Sequence, residues 1–363
     1  MSHLYIHIPF CHRVCPYCAF YKHTPGATDM RAFAASIVRE AELRLPLGFA
    51  PSTIYFGGGT PSMLSPTRLE DIVRGLERHI DTSRVQEWSF EANPATFTAP
   101  KVEHWRSLGI NRISLGAQSF EPELLRLLGR EHTPEQIAQS MQLLRSVGMP
   151  QVNIDLMFCL PGQTVDMWQH TLYEALKLRP DHLSTYSLTL EEGTPFLLTH
   201  TPPTEETEAE LFSLTHDVLT AAGFRHYEVS NYARDDASRS WHNLAYWRGE
   251  DYYGLGPGAC GTVGESRYTN TPDTTAYIAA LSADHLPPGE QEKLSTLDRA
   301  VEQIGLRLRT DEGLPLSSIA PEHISILRDL VAADLARIDA HDSLILTPAG
   351  LLLADEIAVQ LMP

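Results

Sequence analysis

Short runs rich in β-branched and aromatic residues alternate along this chain with longer runs whose apolar residues recur every three or four positions. The strand-like runs fall at 4–8, 53–56, 87–91, 112–115, 152–156 and 183–190, and each precedes a segment of helical period. The clearest helix has Ser65 as N-cap and Pro66 at its first position, with Leu69, Ile72, Val73, Leu76 and Ile80 on one face. Another begins at Thr133-Pro134 and stops at Gly148; others cover 29–43, 100–108, 164–178 and 205–222. Six βα units in succession predict a parallel sheet with right-handed crossovers, an α/β fold of the incomplete (β/α)6 barrel type over residues 1–230. A connecting segment spans 231–288. The character then changes: a helix is predicted at 294–308 and one or two more over 319–338, and a strand at 344–346 turns through Thr347-Pro348 into a final helix reaching Leu361. Residues 289–363 therefore read as a small, mainly helical, winged-helix-like C-terminal domain.

Three of the five cysteines, Cys11, Cys15 and Cys18, lie within eight residues just past the first predicted strand. Such clustering calls for a shared ligand. Thiolates bind soft metals and iron-sulfur clusters, and three of them on a four-iron cubane leave one iron open to bind and reduce a small molecule. Pro16 disfavours a helix that would merely align the thiols as buried packing. Zinc with His7 or His12 as fourth ligand is chemically possible, although zinc knuckles usually pair two separated Cys-x-x-Cys halves. A disulfide framework suits neither the length, the odd cysteine count nor the absence of a secretory signal. Cys159, between Phe158 and Leu160, reads as buried packing.

Barrels place chemistry on loops leaving the carboxyl ends of their strands. The cysteine loop follows the first predicted strand and Gly57-Gly58-Gly59-Thr60-Pro61 the second. Glu91 ends the third, Gln118 lies past the fourth and Asp155 near the end of the fifth. Singly these are weak signals: a glycine run is more often a turn, a strand-end carboxylate can merely cap a loop, and Arg130 can be a solvated helix-end charge.

Cys-x-x-x-Cys-x-x-Cys beneath Tyr-x-His-Ile-Pro-Phe-Cys resembles the radical S-adenosylmethionine (SAM) superfamily, specifically its coproporphyrinogen III dehydrogenase-like branch, and later motifs extend the resemblance over nearly the whole chain. The resemblance implies a radical SAM barrel with a 4Fe-4S cluster on Cys11, Cys15 and Cys18. It implies SAM surrounded by Tyr5, Tyr17, Gly58, Gly59, Thr60, Glu91, Gln118, Arg130 and Asp155, with the glycine segment at the SAM amino group and Tyr17 near the adenine. An electron from the cluster would then cleave the sulfonium and release a 5′-deoxyadenosyl radical, the cofactor carrying the step while the protein orients and shields it. Phe10, Phe20 and Phe56 are candidates for dry walls.

The second informative segment is Trp241-His242-Asn243-Leu244-Ala245-Tyr246-Trp247-Arg248. A histidine among aromatics offers iron an axial nitrogen and a macrocycle flat surfaces, though such a histidine is more often packed and hydrogen-bonded. His-Asn-x-x-Tyr-Trp resembles the heme-associated signature of HemW-type heme chaperones in the same branch, which implies heme at His242 (iron), Asn243, Tyr246 and Trp247. The branch's dehydrogenases carry a long N-terminal extension and a fourth cysteine in Cys-x-x-Cys-x-Cys; here Tyr5 follows Met1 closely and Phe20 holds the matching position. One departure is Cys260, where the family usually has histidine: a thiolate for ferric iron or a small apolar filler. Arg112, Arg234, Arg239 and Arg248 are candidates to meet heme propionates. The resemblance thus implies a heme chaperone that binds heme, a cluster and SAM and passes heme to an acceptor protein. The alternative is an oxygen-independent coproporphyrinogen III dehydrogenase, and a third reading is a radical enzyme acting on another tetrapyrrole.

Composition narrows the partners. With 363 residues, 43% of them hydrophobic, the chain can bury one large core and a smaller one. A formal net charge of −18 disfavours nucleic acid, whose nonspecific binding rests on lysine and arginine. The acidic stretch 202–210 reads as a solvated helix start. No lysine or arginine occurs in 339–363, so the C-terminal domain is expected to close the barrel mouth or dock an acceptor rather than bind DNA. No run is long and apolar enough to span a membrane, although peripheral contact with one stays open, and reduced thiols point to the cytoplasm.

Overall fold

The computed structural model describes residues 2–362. The βα units are β1 Ser2–Ile8 and α1 Met30–Arg44, β2 Thr53–Gly58 and α2 Pro66–Leu76, β3 Glu87–Ala92 and α3 Ala99–Ser107. They continue with β4 Arg112–Gln118, followed by α4 Pro122–Leu127 and α5 Pro134–Ser146, then β5 Gln151–Phe158 with α6 Val165–Lys177. The last is β6 His182–Ser187 with α7 Pro195–Thr199 and α8 Glu205–Ala221. Local chemistry sets the helix starts. Ser65 accepts from Arg68 N ahead of α2, and Thr133 forms a capping box with Gln136 ahead of α5. The acidic stretch is the first turn of α8, capped by Thr204.

The strands β7 Arg225–Glu228 and β8 Asn231–Ala233 extend the sheet beyond β6. After α9 Trp241–Trp247, β9 Asp251–Leu255 pairs in parallel with β1, and β10 Cys260–Val263, β11 Ser266–Asn270 and β12 Gly289–Lys293 follow antiparallel, with α10 Thr274–Ser282 between the last two. The order is β12-β11-β10-β9-β1-β2-β3-β4-β5-β6-β8-β7, an open sheet whose ends are unpaired with each other among the described residues. This is the incomplete barrel expected, with one further parallel strand, β9.

The two faces of the parallel strands differ sharply. Leu4, Ile6 and Ile8, Ile54 and Phe56, Ile113 and Leu115, and Ile154 and Leu156 pack outward against Phe33, Ile37, Leu69, Ile72, Trp105, Ile137 and Trp168 of the helices. The alternate positions face inward and are polar: His3, Tyr5 and His7; Thr53 and Tyr55; Glu87, Ser89 and Glu91; Arg112 and Ser114; Asn153 and Asp155; His182 and Ser184. Parallel strands covered on both sides ordinarily read as continuous apolar runs. Here the inner face must be satisfied by hydrogen bonds instead.

The C-terminal domain has its own core around Ile304, Leu308, Leu330, Leu344 and Ile357. It comprises α11 Thr296–Arg307, β13 Leu314–Pro315, α12 Ile324–Ala332, β14 Ala336–Ile338, β15 Ser343–Leu346, α13 Pro348–Leu351 and α14 Ala354–Leu361, with the strands ordered β13-β15-β14. Several expectations need correcting. Residues 188–190 leave the sheet after β6. The helix of the 319–338 stretch, α12, stops at Ala332 rather than reaching 338, because Asp334 takes a left-handed φ of 58° and turns the chain into β14. The final helix is broken between α13 and α14. Nor does the domain close the barrel mouth. Arg239 pairs bidentately with Asp311 at 3.0 and 2.7 Å, Arg248 pairs with Glu312, and Gln303 of α11 donates to Arg248 O at 3.1 Å. These contacts dock the domain beside α9. That helix lies under the amino ends of β2 and β3, where Glu87 accepts from Trp241 N and His242 N at 2.9 and 3.1 Å.

One buried carboxylate ties the antiparallel extension to the barrel. Glu40 of α1, 0% exposed, accepts from Gly256 N (2.8 Å), Asn270 Nδ2 (2.7 Å), Tyr277 Oη (2.7 Å) and Arg44 Nε (3.0 Å). Replacing Glu40 with Leu strands these donors and should cost about 3–5 kcal/mol, seen as a lowered urea midpoint. A midpoint equal to that of the unaltered protein would show that this carboxylate ties nothing together.

Candidate functional site

The carboxyl ends of β1 and β2 bring the cysteine loop against the glycine run. Gly59 N donates to Ile8 O and Thr60 N to Phe10 O, each at 2.8 Å. A Cβ on Gly59 would stand 2.8 Å from Ile8 O and 2.9 Å from Phe10 N and O, so only glycine permits this approach. The neck of the cysteine loop is closed by Cys11 N to His23 O (3.0 Å) and His23 N to Pro9 O (2.8 Å). Its far side rests on α7 through Phe196 N to Pro16 O at 3.2 Å, with Tyr17 tilted against Phe196.

A cavity of about 400 Å³ opens at this end of the barrel. Cys11, Cys15 and Cys18 line it, together with Tyr17, Gly58, Gly59, Thr60, Glu91, Gln118, Arg130 and Asp155, so eight of the nine residues named for SAM share one wall with the cysteines. Tyr5 is the exception. It stacks on Tyr55, its hydroxyl is 3.0 Å from His7 Nδ1, and it does not line the cavity. Of the three phenylalanines proposed as dry walls only Phe20 reaches the cavity, and it is 68% exposed; Phe10 and Phe56 face the helices.

Each group is held in place. Tyr55 Oη donates to Glu91 Oε1 (2.8 Å) and Gly58 N to Glu91 Oε2 (3.1 Å). Burial raises the Glu91 carboxyl to about 7 against the donation from Tyr55. Asp155 accepts from Ser114 Oγ (2.8 and 3.0 Å) and Asn153 Nδ2 (2.7 Å), and burial raises it too. Gln118 has a left-handed φ of 69° at an irregularity in the β4–β5 register, a strained backbone of the kind found at binding sites. Arg130 donates to Asn93 Oδ1 (2.9 Å), Asn93 Nδ2 to Thr60 Oγ1 (3.1 Å), and Thr60 Oγ1 to Cys11 Sγ (3.5 Å). Arg130 Nε is buried without a partner, an unmet donor at the cavity wall. Sequence reasoning missed Tyr55, Asn93, Ser114, Met157 and Tyr186, which also line the cavity. The signal for Tyr55 and Ser114 was the polar alternation within the predicted strands.

Among the described residues no three His, Cys, Asp or Glu side chains converge on a single ion. The three thiols are unpaired and stand around one cavity, an arrangement that suits a multi-iron cluster gripped at separate corners. Cys159 is buried as expected, and burial raises its thiol to about 11.

The residues expected to meet heme lie elsewhere, beneath the cavity on α9. His242 is 1% exposed, and burial lowers its imidazole to about 3. Its Nδ1 is 2.7 Å from Thr53 Oγ1 and its Nε2 is 3.0 Å from Tyr246 Oη, so neither nitrogen is displayed to a ligand as expected. Asn243 and Trp247 are half-buried, and Trp247 hydrogen-bonds the buried Glu228. Cys260 is half-buried and accepts from Tyr252 Oη at 3.7 Å. The arginines offered for propionates are engaged by the protein itself. Arg112 donates to Ser238 O (2.9 Å) and Arg234 to Pro180 O (2.8 Å), while Arg239 and Arg248 hold the C-terminal domain.

A cysteine loop set against a glycine run at the carboxyl edge of a partial parallel barrel defines a radical SAM protein, and the radical SAM superfamily model matches residues 5–175. The cofactors of that superfamily are a 4Fe-4S cluster and SAM, and the cavity residues fit both. The chain is 33% identical to the heme chaperone HemW of Bacillus subtilis over 98% of each chain, and 34% identical to HemW of Escherichia coli over 86% of this chain and 83% of that one. It therefore belongs to the HemW heme chaperone family. Escherichia coli coproporphyrinogen III oxidase, at 23% identity, shares the fold with a TM-score of 0.81 over 99% of this chain and 90% of that one. No helix among the described residues is long and apolar enough to cross a membrane.

Replacing Gly59 with Ala should push the glycine run off the cysteine loop. Anaerobically reconstituted G59A is expected to lose most of its iron and sulfide while keeping its far-UV circular dichroism. Full cluster content would show that this close approach is dispensable.

Proposed function

We propose that this protein is a heme chaperone of the cytoplasm that binds heme, a 4Fe-4S cluster and SAM, and passes heme to an acceptor protein. The observation that carries the reading is the HemW similarity over 98% of the chain, which runs past the barrel through α9 and the C-terminal domain. Cys11, Cys15 and Cys18 hold the cluster, and Tyr17, Gly58, Gly59, Thr60, Glu91, Gln118, Arg130 and Asp155 hold SAM. When bound, the cluster and SAM supply a reducible sulfonium beside an open iron. The protein's part is to present the Glu91 carboxylate, fixed by Tyr55 Oη and Gly58 N, to the ammonium of SAM. Heme is cargo, with His242 its iron ligand and Asn243, Tyr246 and Trp247 alongside. Phe20, exposed where the dehydrogenases carry a cysteine, argues against decarboxylation of coproporphyrinogen.

Two outcomes test this. Heme added to the reconstituted protein should give a Soret band that weakens in His242→Ala, while coproporphyrinogen III with SAM and reductant stays unconverted; turnover would establish the dehydrogenase instead. SAM affinity should also depend on pH through Glu91. The SAM ammonium pairs with the carboxylate, which forms only above about 7, so affinity should fall by up to about tenfold per pH unit below that point and level off above it. A flat profile between about pH 6 and pH 8 would remove Glu91 from the SAM site.

A further inference from the structure

The loop after β3 determines where the Thr60 hydroxyl points. A guanidinium only donates, so the Asn93 amide atom 2.9 Å from Arg130 Nη1 is the oxygen, and the amide turns its NH2 group the other way. Asn93 Nδ2 therefore donates to Thr60 Oγ1 at 3.1 Å. Thr60 accepts that bond on a lone pair and has one hydrogen left to place. The acceptor it meets is Cys11 Sγ, at 3.5 Å. The chain Arg130, Asn93, Thr60, Cys11 thus runs in a single direction, set at its far end by a group that carries no acceptor.

The backbone beneath this chain is pinned. Asn93 N donates to Ser62 Oγ at 3.4 Å, and Asn93 O accepts from Thr96 Oγ1 at 2.7 Å. Thr60 N donates to Phe10 O at 2.8 Å, which seats the Thr60 side chain beside the next residue, Cys11. Thr60 is buried, where a hydrogen bond left unmade is costly. Among the described residues neither Cys15 nor Cys18 receives a hydrogen bond on its sulfur, so Cys11 is set apart from the other two thiols. A hydrogen bond to a thiolate that ligates an iron-sulfur cluster withdraws charge from the cluster and favours its reduced form.

We infer that Arg130 and Asn93 are positioning residues that aim the Thr60 hydroxyl at Cys11, and that this hydroxyl raises the reduction potential of the cluster. This rests on the reading of Cys11, Cys15 and Cys18 as the cluster ligands. The couple is the gain of one electron by the cluster from an added reductant, and the hydroxyl hydrogen stays on Thr60 in both states. Thr60→Val removes the hydroxyl while keeping the shape, and Thr60→Ser keeps the hydroxyl. Asn93→Asp keeps the acceptor for Arg130 but puts an oxygen where the NH2 group stood. A carboxylate only accepts, so the Thr60 hydrogen turns to it and leaves Cys11.

A dithionite titration of the anaerobically reconstituted, SAM-free protein reads the potential from the electron paramagnetic resonance of the reduced cluster, normalised to iron and sulfide. Thr60→Val should move the oxidised-to-reduced ratio about tenfold toward oxidised, a fall of ~59 mV for a one-electron couple, the worth of one hydrogen bond to a charged sulfur. Thr60→Ser should keep the potential of the unaltered protein. Asn93→Asp should also lower it, and the two changes together should lower it by less than the sum of each alone, because both remove the same hydrogen bond. The inference is overturned if Thr60→Val leaves the potential unmoved, or if the two shifts add. Where Thr60→Val takes up no cluster, Asn93→Asp decides, and an unchanged potential overturns the inference. Absence of a cluster from the unaltered protein would instead overturn the cysteine assignment on which it rests.

Discussion

Two backbone hydrogen bonds, Gly59 N to Ile8 O and Thr60 N to Phe10 O, hold the rest of the site in register. They exist because β1 and β2 are parallel neighbours paired from His3 with Thr53 to Ile8 with Gly58, so both chains leave the sheet at the same height. They seat the cysteine loop and the glycine run on one another. The polar groups of the later strands then arrive from the same edge: Glu91 from β3, Gln118 at the end of β4 with Arg130 beyond it, Asp155 from β5. Parallel topology thus converts residues far apart in sequence into neighbours around one opening.

Below that opening, the barrel is filled by polar side chains that water cannot serve, and satisfying them links distant parts of the molecule. Glu87 caps the start of α9. Ser240 N donates to Tyr227 Oη, whose oxygen is 2.7 Å from His182 Nε2; His182 Nδ1 reaches Asn153, and Asn153 reaches Asp155 in the cavity wall. From the other side, His242 stacks on Tyr55, which holds Glu91. The helix bearing His242, Asn243, Tyr246 and Trp247 is therefore also the floor on which the cavity's two carboxylates stand, and the C-terminal domain braces that helix through Arg239 and Arg248.

The cysteine triad and the glycine run were legible because their chemistry demands fixed residue types at fixed separations along one chain. The βα units were legible because their outer faces bury Ile, Leu and Phe. Which inward side chain reaches the opening was not. Tyr5 and Tyr55 share the inward parity, yet Tyr55 reaches the cavity and Tyr5 does not. Nor was the satisfaction of charges: the four arginines offered to heme answer to Glu87, Asp311, Glu312 and backbone carbonyls, partners that only the folded chain brings near. β12, Gly-Glu-Gln-Glu-Lys, carries no apolar period because both its faces meet solvent, so pattern alone conceals it, and its charges blunt the edge of the sheet.

If Cys11, Cys15 and Cys18 grip three irons of a cubane, the fourth is free for SAM and becomes distinct when SAM binds. Mössbauer spectroscopy of the ⁵⁷Fe-reconstituted, oxygen-free protein with and without SAM reads each iron separately. A 4Fe-4S spectrum is expected in which SAM alters the parameters of one iron and leaves three unchanged. Stoichiometric zinc in place of iron, or a cluster with no iron that responds to SAM, would contradict it.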